Sequence, residues 1–216
     1  MSRPFLDAAA RHPIILADGS PHTGTVHLNQ VIDHPNISIG DYSYYSGFDT
    51  PADYAAALAP YLYPGAPERL AIGRFCQIAH GVRIITSSAN HAMDGFSTYP
   101  FAVFNPELIG AYAASIGNSR DTVIGNDVWL GFESVVMPGV RIGNGAIIAA
   151  RAVVAGDVPD YAVVAGNPGR VIRRRFDDDV VERLLAVAWW DWEVERIARH
   201  AEAITGADIE ALERGA

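Results

Sequence analysis

The sequence is short of cysteine, of basic residues and of long apolar runs, and each shortage excludes a class of protein. Its single cysteine, Cys76, permits no disulfide within the chain. Lys and Arg number 16 against 25 Asp and Glu, so the net charge of −9 gives no electrostatic reason to expect a nucleic-acid partner. No apolar run approaches the roughly 18–20 residues of a membrane-spanning helix, and the N-terminus lacks the apolar stretch of a signal peptide. We therefore expect a cytoplasmic protein with no membrane or nucleic-acid partner.

Charge of either sign is also scarce. Charged residues make up 19% of the chain and hydrophobic residues 50%, whereas an ordinary globular domain is about one quarter charged. A chain this apolar can bury enough surface to fold, which argues against a disordered protein. Its length suits one sizeable domain with appendages. The missing polar surface implies that something covers part of the outside of the protein.

A six-residue repeat begins at residue 124. The first position of each six is aliphatic: Ile124, Leu130, Val136, Ile142, Ile148 and Val154. The fifth position is small or β-branched: Val128, Ser134, Val140, Ala146, Ala152 and Val158. Glycine follows the aliphatic residue at Gly125, Gly131 and Gly143, where it relieves crowding near a bend. A period of six suits a chain that turns a corner every six residues, so three flat sides of about 18 residues close one coil of a parallel β-helix.

The same pattern occurs earlier in a different frame, with Ile39, Ile72, Ile78 and Ile84 at the first position. The spacings from 39 to 72 and from 84 to 124 are 33 and 40, and neither is a multiple of six. Two insertions therefore interrupt the coils, near 45–70 and 86–120. Long insertions in a repeat fold are usually functional loops. Both are rich in aromatic residues, which either bind a ligand or pack on one another.

Helical spacing replaces the six-residue period after Val171. Asp177 is placed to cap a first helix, whose apolar residues recur every three or four positions. Two further helical stretches follow near 193–204 and 207–214. The tryptophans between the first and the second helical stretch, Trp189, Trp190 and Trp192, indicate an aromatic core. We expect this tail to pack back against the β-helix or to cap its open end.

His91 is the one histidine within the second insertion, in SSANHAMDGFSTYPF. Histidine exchanges a proton near neutral pH and is the usual general base. A loop rich in Gly, Ser, Asn and aromatic residues suits a base that faces a cleft. The alternative is a histidine that only ties down its own loop through hydrogen bonds.

The stretch NHAMDGFSTYPF at 90–101 resembles the active-site loop of the xenobiotic acetyltransferases. This family of hexapeptide-repeat acyltransferases includes the streptogramin acetyltransferases and the type B chloramphenicol acetyltransferases. Other segments resemble family signatures and follow the family's order: IGDYSYYSG at 39–47, IGRFCQIA at 72–79, DTVIGNDVWLG at 121–131, MPGVRIGNGAIIAA at 137–150, AGNPGRVIRRRF at 165–176 and AWWDWE at 188–193. The resemblance covers roughly residues 30–200, and the loop and the WW-x-W tail distinguish this family within its superfamily.

The resemblance implies a mainly β protein built on a left-handed parallel β-helix. We expect an N-terminal arm over 1–34, the β-helix over 35–176 with its two insertions, and C-terminal helices over 177–216. Family members form homotrimers with active sites between neighbouring subunits. Partner chains would then cover flat faces of the coil and account for the shortage of charge.

The resemblance also implies acetyl transfer from acetyl-CoA to a hydroxyl of an antibiotic-like acceptor of the streptogramin A or chloramphenicol class, with no metal. His91 matches the family's catalytic histidine, which removes the hydroxyl proton as the oxygen attacks the thioester. No covalent enzyme intermediate is needed, and Cys76, in a small fifth position, is expected to be buried and inert. The expected acceptor contacts are Tyr44, Tyr63, Met93 and Phe104.

CoA needs a slot for its pantetheine arm and a site for its phosphates. In the family the slot follows the outside of the later coils, which places Gly131, Ala149 and Ala150 along it and Trp129 near the thioester. Arginines cluster where the β-helix ends: Arg170, Arg173, Arg174 and Arg175. Arginine suits phosphate by geometry and charge, although such a cluster is equally typical of a solvated basic face.

Three other functions are compatible with parts of the pattern. A zinc enzyme resembling γ-class carbonic anhydrase would need three histidines at one site, and His80 and His91 are the only nearby pair. A non-catalytic scaffold would use the coil only to present its aromatic loops. A different hexapeptide-repeat O- or N-acyltransferase would act on a sugar or another metabolite.

Overall fold

A computed structural model describes residues 5–110 and 119–215. The protein is mainly β, and its strands form three sheets in which most neighbouring strands are parallel. Sheet 1 contains seven strands: β1 Thr25–His27, β3 Tyr44–Ser46, β5 Gln77–Ala79, β8 Trp129–Leu130, β11 Ile147–Ile148, β13 Ala162–Ala165 and β14 Arg170–Arg174. Sheet 2 contains four: β2 Ile37–Ile39, β4 Leu70–Ile72, β7 Thr122–Ile124 and β10 Arg141–Ile142. Sheet 3 contains three: β6 Arg83–Ile84, β9 Val135–Val136 and β12 Val153–Val154.

Successive strands visit the three sheets in turn, so the chain winds into a three-sided coil. From β4 to β12 the order is sheet 2, sheet 1, sheet 3, repeated three times. Equivalent residues in consecutive coils pair 18 positions apart, as Ile124 does with Ile142 and Leu130 with Ile148. This register matches the coil length that the six-residue repeat predicts, so the prediction of a parallel coil is confirmed.

The core of the coil is formed by the two positions of the repeat that the sequence assigns to the interior. All six aliphatic first positions from Ile124 to Val154 are buried, and so are all six fifth positions from Val128 to Val158. The earlier frame behaves in the same way at Ile72, Ile78 and Ile84. Because each coil stacks its aliphatic side chains on those of the next, burial is continuous along the axis.

A ladder of amide and carboxylate side chains joins the coils at the corner between sheets 2 and 1. The Arg74 amide donates to Asn126 Oδ1 at 2.7 Å, and the Asn126 amide donates to Asn144 Oδ1 at 2.9 Å. The Asn144 amide in turn donates to Asp160 Oδ1 at 2.6 Å. These side chains therefore satisfy backbone donors that the bend takes out of the sheet ladder.

The bend itself occurs at the fourth position of the repeat, one residue after this ladder. Backbone φ is positive there at Asp127, Glu133, Arg151, Gly139 and Gly145. The glycines at the second position serve a different purpose, since their φ is ordinary. A Cβ on Gly125 would lie 2.8 Å from the Asn144 amide nitrogen of the next coil, so glycine is needed there for space.

Two antiparallel strands cover the edges of sheet 1. Strand β1 pairs with β3 at one edge, and β14 pairs with β13 at the other. Sheet edges with free backbone groups attract other chains, and these two strands occupy the edges that the parallel coil leaves open. No described helix is long and apolar enough to cross a membrane.

Two segments separate the early coils from the regular ones. Residues 47–69 connect β3 to β4 and contain helix α1, Tyr54–Leu58. Residues 85–121 connect β6 to β7, with 3-10 turns at Ser87–Ala89 and Phe101–Phe104. The predicted second insertion, 86–120, includes residues 111–118, which lie outside the described residues. Pairing of Ile39 with Ile72 and of Ile72 with Ile124 shows that the coil register resumes after each segment.

The C-terminal part forms helices α2 Asp178–Val187, α3 Val194–Gly206 and α4 Ile209–Gly215. Asp177 stands at the N-cap of α2, but its side chain makes no capping hydrogen bond. The three tail tryptophans are buried, which confirms their expected place in a core. Trp189 packs on Phe75 with ring centroids 5.1 Å apart, and Phe176 packs on Tyr161 at 5.7 Å. Phe75 and Tyr161 both lie at the corner between sheets 2 and 1, so the tail packs along that corner of the coil.

We predict that Gly73→Ala destabilises the protein by about 1–3 kcal/mol, because overpacking a tight contact costs that much. An added Cβ would lie 2.6 Å from the Gly125 carbonyl oxygen and 2.6 Å from Asn126 Oδ1. Thermal unfolding at one fixed protein concentration measures the effect as a lower melting temperature. Gly156→Ala is the matched control, since nothing lies within 4 Å of its Cβ. Equal melting temperatures for the two variants would contradict this account of the glycines.

Candidate active site

The outer face of sheet 1 carries one row of side chains that crosses the coils. Side chains alternate along a strand, so residues in register on neighbouring strands lie on the same face. The row consists of Tyr44, Gln77, Trp129, Ile147 and Val163. Pairing of Val163 with Arg173 extends it onto β14. One face thus holds residues expected at the acceptor, at the thioester and at the phosphates.

A cavity of about 280 Å³ lies at the early end of this row. Tyr44 and Trp129, which the sequence assigns to the site, both line it. Tyr44 is half-buried, and burial raises the pKa of its hydroxyl, so the side chain stays a neutral hydrogen-bond donor. Trp129 is 49% exposed, so its ring is available to a ligand.

Three further aromatic rings line the same cavity, and the sequence analysis missed them. The rings of His80, Phe48 and Phe132 contact one another, with the centroid of His80 4.9 Å from that of Phe48 and 5.9 Å from that of Phe132. His80 Nδ1 lies 3.2 Å from the Tyr45 hydroxyl and 3.2 Å from Asp49 Oδ1. A signal for this stack was present, because His80 and Phe132 both stand two residues after an inward aliphatic residue and so occupy equivalent places in adjacent coils.

Gly131, Ala149 and Ala150 meet where sheet 1 turns toward sheet 3. The Gly131 amide donates to the Ile148 carbonyl at 2.8 Å, and a Cβ on Gly131 would lie 2.8 Å from the Ala150 amide nitrogen. The three residues therefore form a strip of backbone with small side chains. Such a strip allows close approach of an extended ligand.

The arginines beyond the strip differ from one another in their surroundings. Arg170, Arg173 and Arg174 lie on β14 and are exposed. Arg174 has a carboxylate partner in Asp178, 3.7 Å away. These positions leave guanidinium groups at the end of sheet 1 that are accessible to an anion.

Arg175, the last arginine of the cluster, differs from the three exposed ones because it makes several contacts within the chain. Its Nη1 donates to the Gly145 carbonyl at 2.7 Å and lies 3.5 Å from Asp127 Oδ2. Its guanidinium also covers the rings of Tyr161 and Phe176 at 5.3 and 5.5 Å. Burial raises the pKa of Asp127, and the charge of Arg175 opposes that rise.

His91 is exposed and follows the 3-10 turn Ser87–Ala89. Its Nδ1 lies 2.9 Å from the Thr98 carbonyl oxygen. A carbonyl oxygen only accepts, so Nδ1 carries the proton and donates it in this hydrogen bond. In the neutral ring Nε2 therefore holds the free lone pair, which is the arrangement that proton removal from another molecule requires.

The other expected acceptor residues are exposed side chains that do not line the cavity on sheet 1. Met93 is 82% exposed and Phe104 69% exposed, both in the segment between β6 and β7. Tyr63 is exposed in the segment between β3 and β4. Tyr99 packs on Phe104 with centroids 5.5 Å apart, so part of the aromatic content of the second segment packs on itself. His91 leaves the coil after sheet 3 and is likewise absent from the described lining of the cavity.

Metal ligands do not converge anywhere in the described part of the chain. Among residues 5–110 and 119–215, no group of three or more His, Cys, Asp or Glu side chains could hold a metal ion.

The three-sided coil of six-residue repeats defines the class as a hexapeptide-repeat transferase. The family model for bacterial transferase hexapeptide (six repeats) matches residues 121–156. The chain is 42% identical over 199 residues to a chloramphenicol acetyltransferase of Agrobacterium fabrum, covering 90% of this chain and 94% of that protein. It is 42% identical to a virginiamycin A acetyltransferase of Staphylococcus aureus over 87% of this chain and 85% of that protein. Among solved structures, a hexapeptide-repeat acetyltransferase of Vibrio cholerae with acetyl-CoA is 26% identical, with a TM-score of 0.43 over 66% of this chain and 62% of that one.

Identity of this extent over nine tenths of the chain is decisive. The protein belongs to the xenobiotic acetyltransferase family of hexapeptide-repeat acyltransferases.

Cys76 is the one candidate for a covalent nucleophile of the thiol type, and its surroundings make it inert. The side chain is fully buried, and its Sγ lies 3.0 Å from the Gly125 carbonyl oxygen. Burial raises the pKa of the thiol to about 12, so the reactive thiolate is absent near neutral pH.

We therefore predict that Ellman's reagent does not titrate the native protein at pH 8 and titrates one thiol per chain after unfolding in guanidinium chloride. The absorbance change at both stages measures this directly. Cys76→Ala supplies the zero-thiol baseline. Rapid stoichiometric reaction of the native protein would show that the thiol is accessible.

Proposed function

We propose that the protein transfers an acetyl group from acetyl-CoA to a hydroxyl of an antibiotic-like acceptor of the streptogramin A or chloramphenicol class. Relatives named for these activities match about nine tenths of the chain at 35–42% identity. The observation that carries the mechanism is the hydrogen bond from His91 Nδ1 to the Thr98 carbonyl, because it presents the lone pair of Nε2 to solvent.

In the proposed reaction, His91 Nε2 accepts the proton of the acceptor hydroxyl while the hydroxyl oxygen attacks the thioester carbonyl carbon. The charged imidazolium is stabilised by its Nδ1–H bond to Thr98. As the carbon–sulfur bond breaks, the imidazolium returns the proton to the departing CoA thiolate. Atoms and charges balance without an enzyme-bound intermediate, in keeping with the buried Cys76.

The outer face of sheet 1 fits acetyl-CoA in shape and charge. The strip formed by Gly131, Ala149 and Ala150 is free of large side chains and leads from Trp129 toward β14. Arg170, Arg173 and Arg174 are exposed at the far end, where they suit the phosphates. The pantetheine arm would follow the strip, with the thioester near Trp129.

The acceptor would lie between Tyr44 on the coil and the exposed apolar side chains of the two inserted segments. Tyr44 offers a neutral hydroxyl. Tyr63, Met93 and Phe104 offer apolar surface that one chain leaves uncovered. Large exposed apolar side chains of this kind usually contact another molecule.

We propose further that the protein is a homotrimer, because the described lining of the cavity on sheet 1 includes Tyr44 and Trp129 but not the other expected site residues. The loop that carries His91 leaves the coil after strand β6 of sheet 3, while Tyr44 and Trp129 lie on sheet 1. A neighbouring subunit would therefore complete the active site. Partner chains would also cover apolar coil faces, which accounts for a chain with only 19% charged residues. We further propose that the coil is left-handed, that the arm, coil and helical tail divide at 34/35 and 176/177, and that the enzyme acts in the cytoplasm.

The acceptor class is tested by thiol release from acetyl-CoA with purified protein. We expect turnover with virginiamycin M-type streptogramins, with chloramphenicol or with both, because the relatives named for these activities match most of the chain. Simple sugars serve as the comparison, since they represent the acceptors of other hexapeptide-repeat acyltransferases. Turnover of sugars alone would replace the antibiotic assignment with that alternative.

The role of His91 is tested by His91→Asn. The asparagine amide can still donate to the Thr98 carbonyl but has no basic nitrogen, so it separates proton transfer from loop anchoring. We expect kcat to fall by about two to four powers of ten, the usual range for loss of a general base. The melting temperature should be unchanged. A variant with near-wild-type kcat would show that His91 only ties down its loop.

A further inference from the structure

We propose that Glu68 is a positioning residue for His91, whose carboxylate holds the turn from which the loop carrying His91 leaves the coil. The proposal rests on the proposed function of His91 as the general base. It concerns a residue in the other inserted segment, far from His91 in sequence.

The contact that carries the proposal joins the two inserted segments. Glu68 lies two residues before β4 and is 1% exposed. Its Oε1 accepts a hydrogen bond from the Ser88 amide at 2.6 Å. Ser88 is the middle residue of the 3-10 turn Ser87–Ala89, three positions before His91. A short bond to a buried carboxylate therefore fixes the backbone just upstream of the proposed base.

Glu68 and its neighbour hold both ends of the loop that carries His91. The Arg69 amide donates to Asp121 Oδ1 at 2.8 Å, where the chain re-enters the coil. The Arg120 amide also faces Ser87 Oγ at 3.4 Å, which links the exit of the loop to its entry. The two ends of the loop are thus held together by one small cluster of hydrogen bonds.

This hydrogen-bonded cluster is itself attached to the first coil through Asn36. Asn36 is buried, and its Nδ2 donates to the Glu68 carbonyl at 2.9 Å and to the Ala66 carbonyl at 2.7 Å. Its Oδ1 accepts from the Gly65 amide at 3.2 Å. The main chain of Glu68 is therefore fixed before its side chain reaches Ser88.

The second carboxylate oxygen of Glu68 indicates that this side chain does more than stabilise the fold. Among the described residues, Glu68 Oε2 is buried and has no hydrogen-bond partner. A buried polar oxygen without a partner is costly, and a smaller residue would avoid that cost. Glu68 nevertheless places a carboxylate at the start of the loop that carries His91.

His91 depends on these hydrogen bonds at the start of its loop because, over the described residues that follow it, side chains such as Met93 and Tyr99 are exposed or contact other residues of the same loop. Met93 is 82% exposed, and Tyr99 is 55% exposed. A displacement of a catalytic group by about 1 Å lowers the rate by roughly a hundredfold. Loss of the bond from Ser88 to Glu68 should therefore lower the rate without unfolding the coil.

The test compares Glu68→Ala, Glu68→Asp and Glu68→Gln with Asp160→Ala. Alanine removes the acceptor, aspartate withdraws it by one methylene, and glutamine keeps an acceptor oxygen. Asp160 is the matched control, because its carboxylate also accepts a backbone N–H at 2.6 Å but lies on the side-chain ladder of the coil. We expect kcat to fall roughly 10- to 100-fold in the alanine variant and to fall in the aspartate variant. The KM for acetyl-CoA should be unchanged, and glutamine should restore most of kcat. Asp160→Ala should lower the melting temperature but not kcat.

A double variant separates positioning from a general structural role. If Glu68 acts through His91, then Glu68→Ala combined with His91→Asn should lose no more kcat than His91→Asn alone. Losses that multiply, or an unchanged kcat in folded Glu68→Ala and Glu68→Asp, would overturn the proposal. Should Glu68→Ala not fold, the aspartate and glutamine variants give the same comparison.

Hydrogen–deuterium exchange tests the proposal independently of activity. Peptides that cover 86–98 should exchange faster in Glu68→Asp than in the wild type or in Asp160→Ala. Unchanged exchange there would overturn the positioning role. Full activity of His91→Asn would instead overturn the proposed function of His91, so the two failures are distinguishable.

Discussion

Backbone pairing between successive coils is the constraint on which the rest of the structure depends. In the regular coils, strands pair with their equivalents 18 residues further on, as Ile124 and Ile142 show. The ladder closes only if the chain passes very near its neighbour after each inward aliphatic residue. The glycines at Gly73, Gly125 and Gly131 permit this, since a Cβ on any of them would lie 2.6–2.8 Å from an atom of the next coil. The spacing of about 4.8 Å between strands then fixes the height of every side chain on the outer faces.

In a scaffold fixed in this way, the candidate site residues lie on its flat outer face and on a loop that leaves it. The flat face of sheet 1 supplies a row of residues in register, and the strip beside it carries only the small residues Gly131, Ala149 and Ala150. His91, the proposed proton acceptor, lies on a loop instead. Its placement depends on a few buried hydrogen bonds at the base of that loop, while the hydrogen bond to Thr98 selects which ring nitrogen is free. In the proposed mechanism, the rigid coil binds acetyl-CoA and the supported loop carries the group that transfers the proton.

The repeat frame predicted the interior well because burial in this fold follows position along the chain. Ile124, Leu130 and Val136 are inward for the same local reason, and all are buried. The frame did not predict the bend at the fourth position, because the residues there, such as Asp127 and Arg151, carry no common signal for positive φ. It also missed the stack of His80 on Phe132, although their equivalent places in adjacent coils would have revealed it.

Contacts between distant parts of the chain were beyond the reach of a local pattern. Arg175 belongs to an arginine run, yet its partner Asp127 lies 48 residues earlier and holds it partly buried against the coil. The sequence was equally compatible with a C-terminal tail that covers the open end of the coil. The position of the tail along one corner depends on rings such as Phe75 and Tyr161, which lie at that corner but carry no sequence signal of a docking surface.

The interruptions of the coil have a consequence for how such enzymes diversify. Ile39 pairs with Ile72 across 33 positions and Ile72 with Ile124 across 52, whereas an uninterrupted coil takes 18. The sheets resume in register after both, so the coil places no condition on the length of what is inserted at a corner. Segments 47–69 and 85–121 can therefore lengthen, shorten or be exchanged between relatives as cassettes, while the face that suits acetyl-CoA stays the same. Acceptor range and donor recognition are free to evolve at different speeds within one molecule.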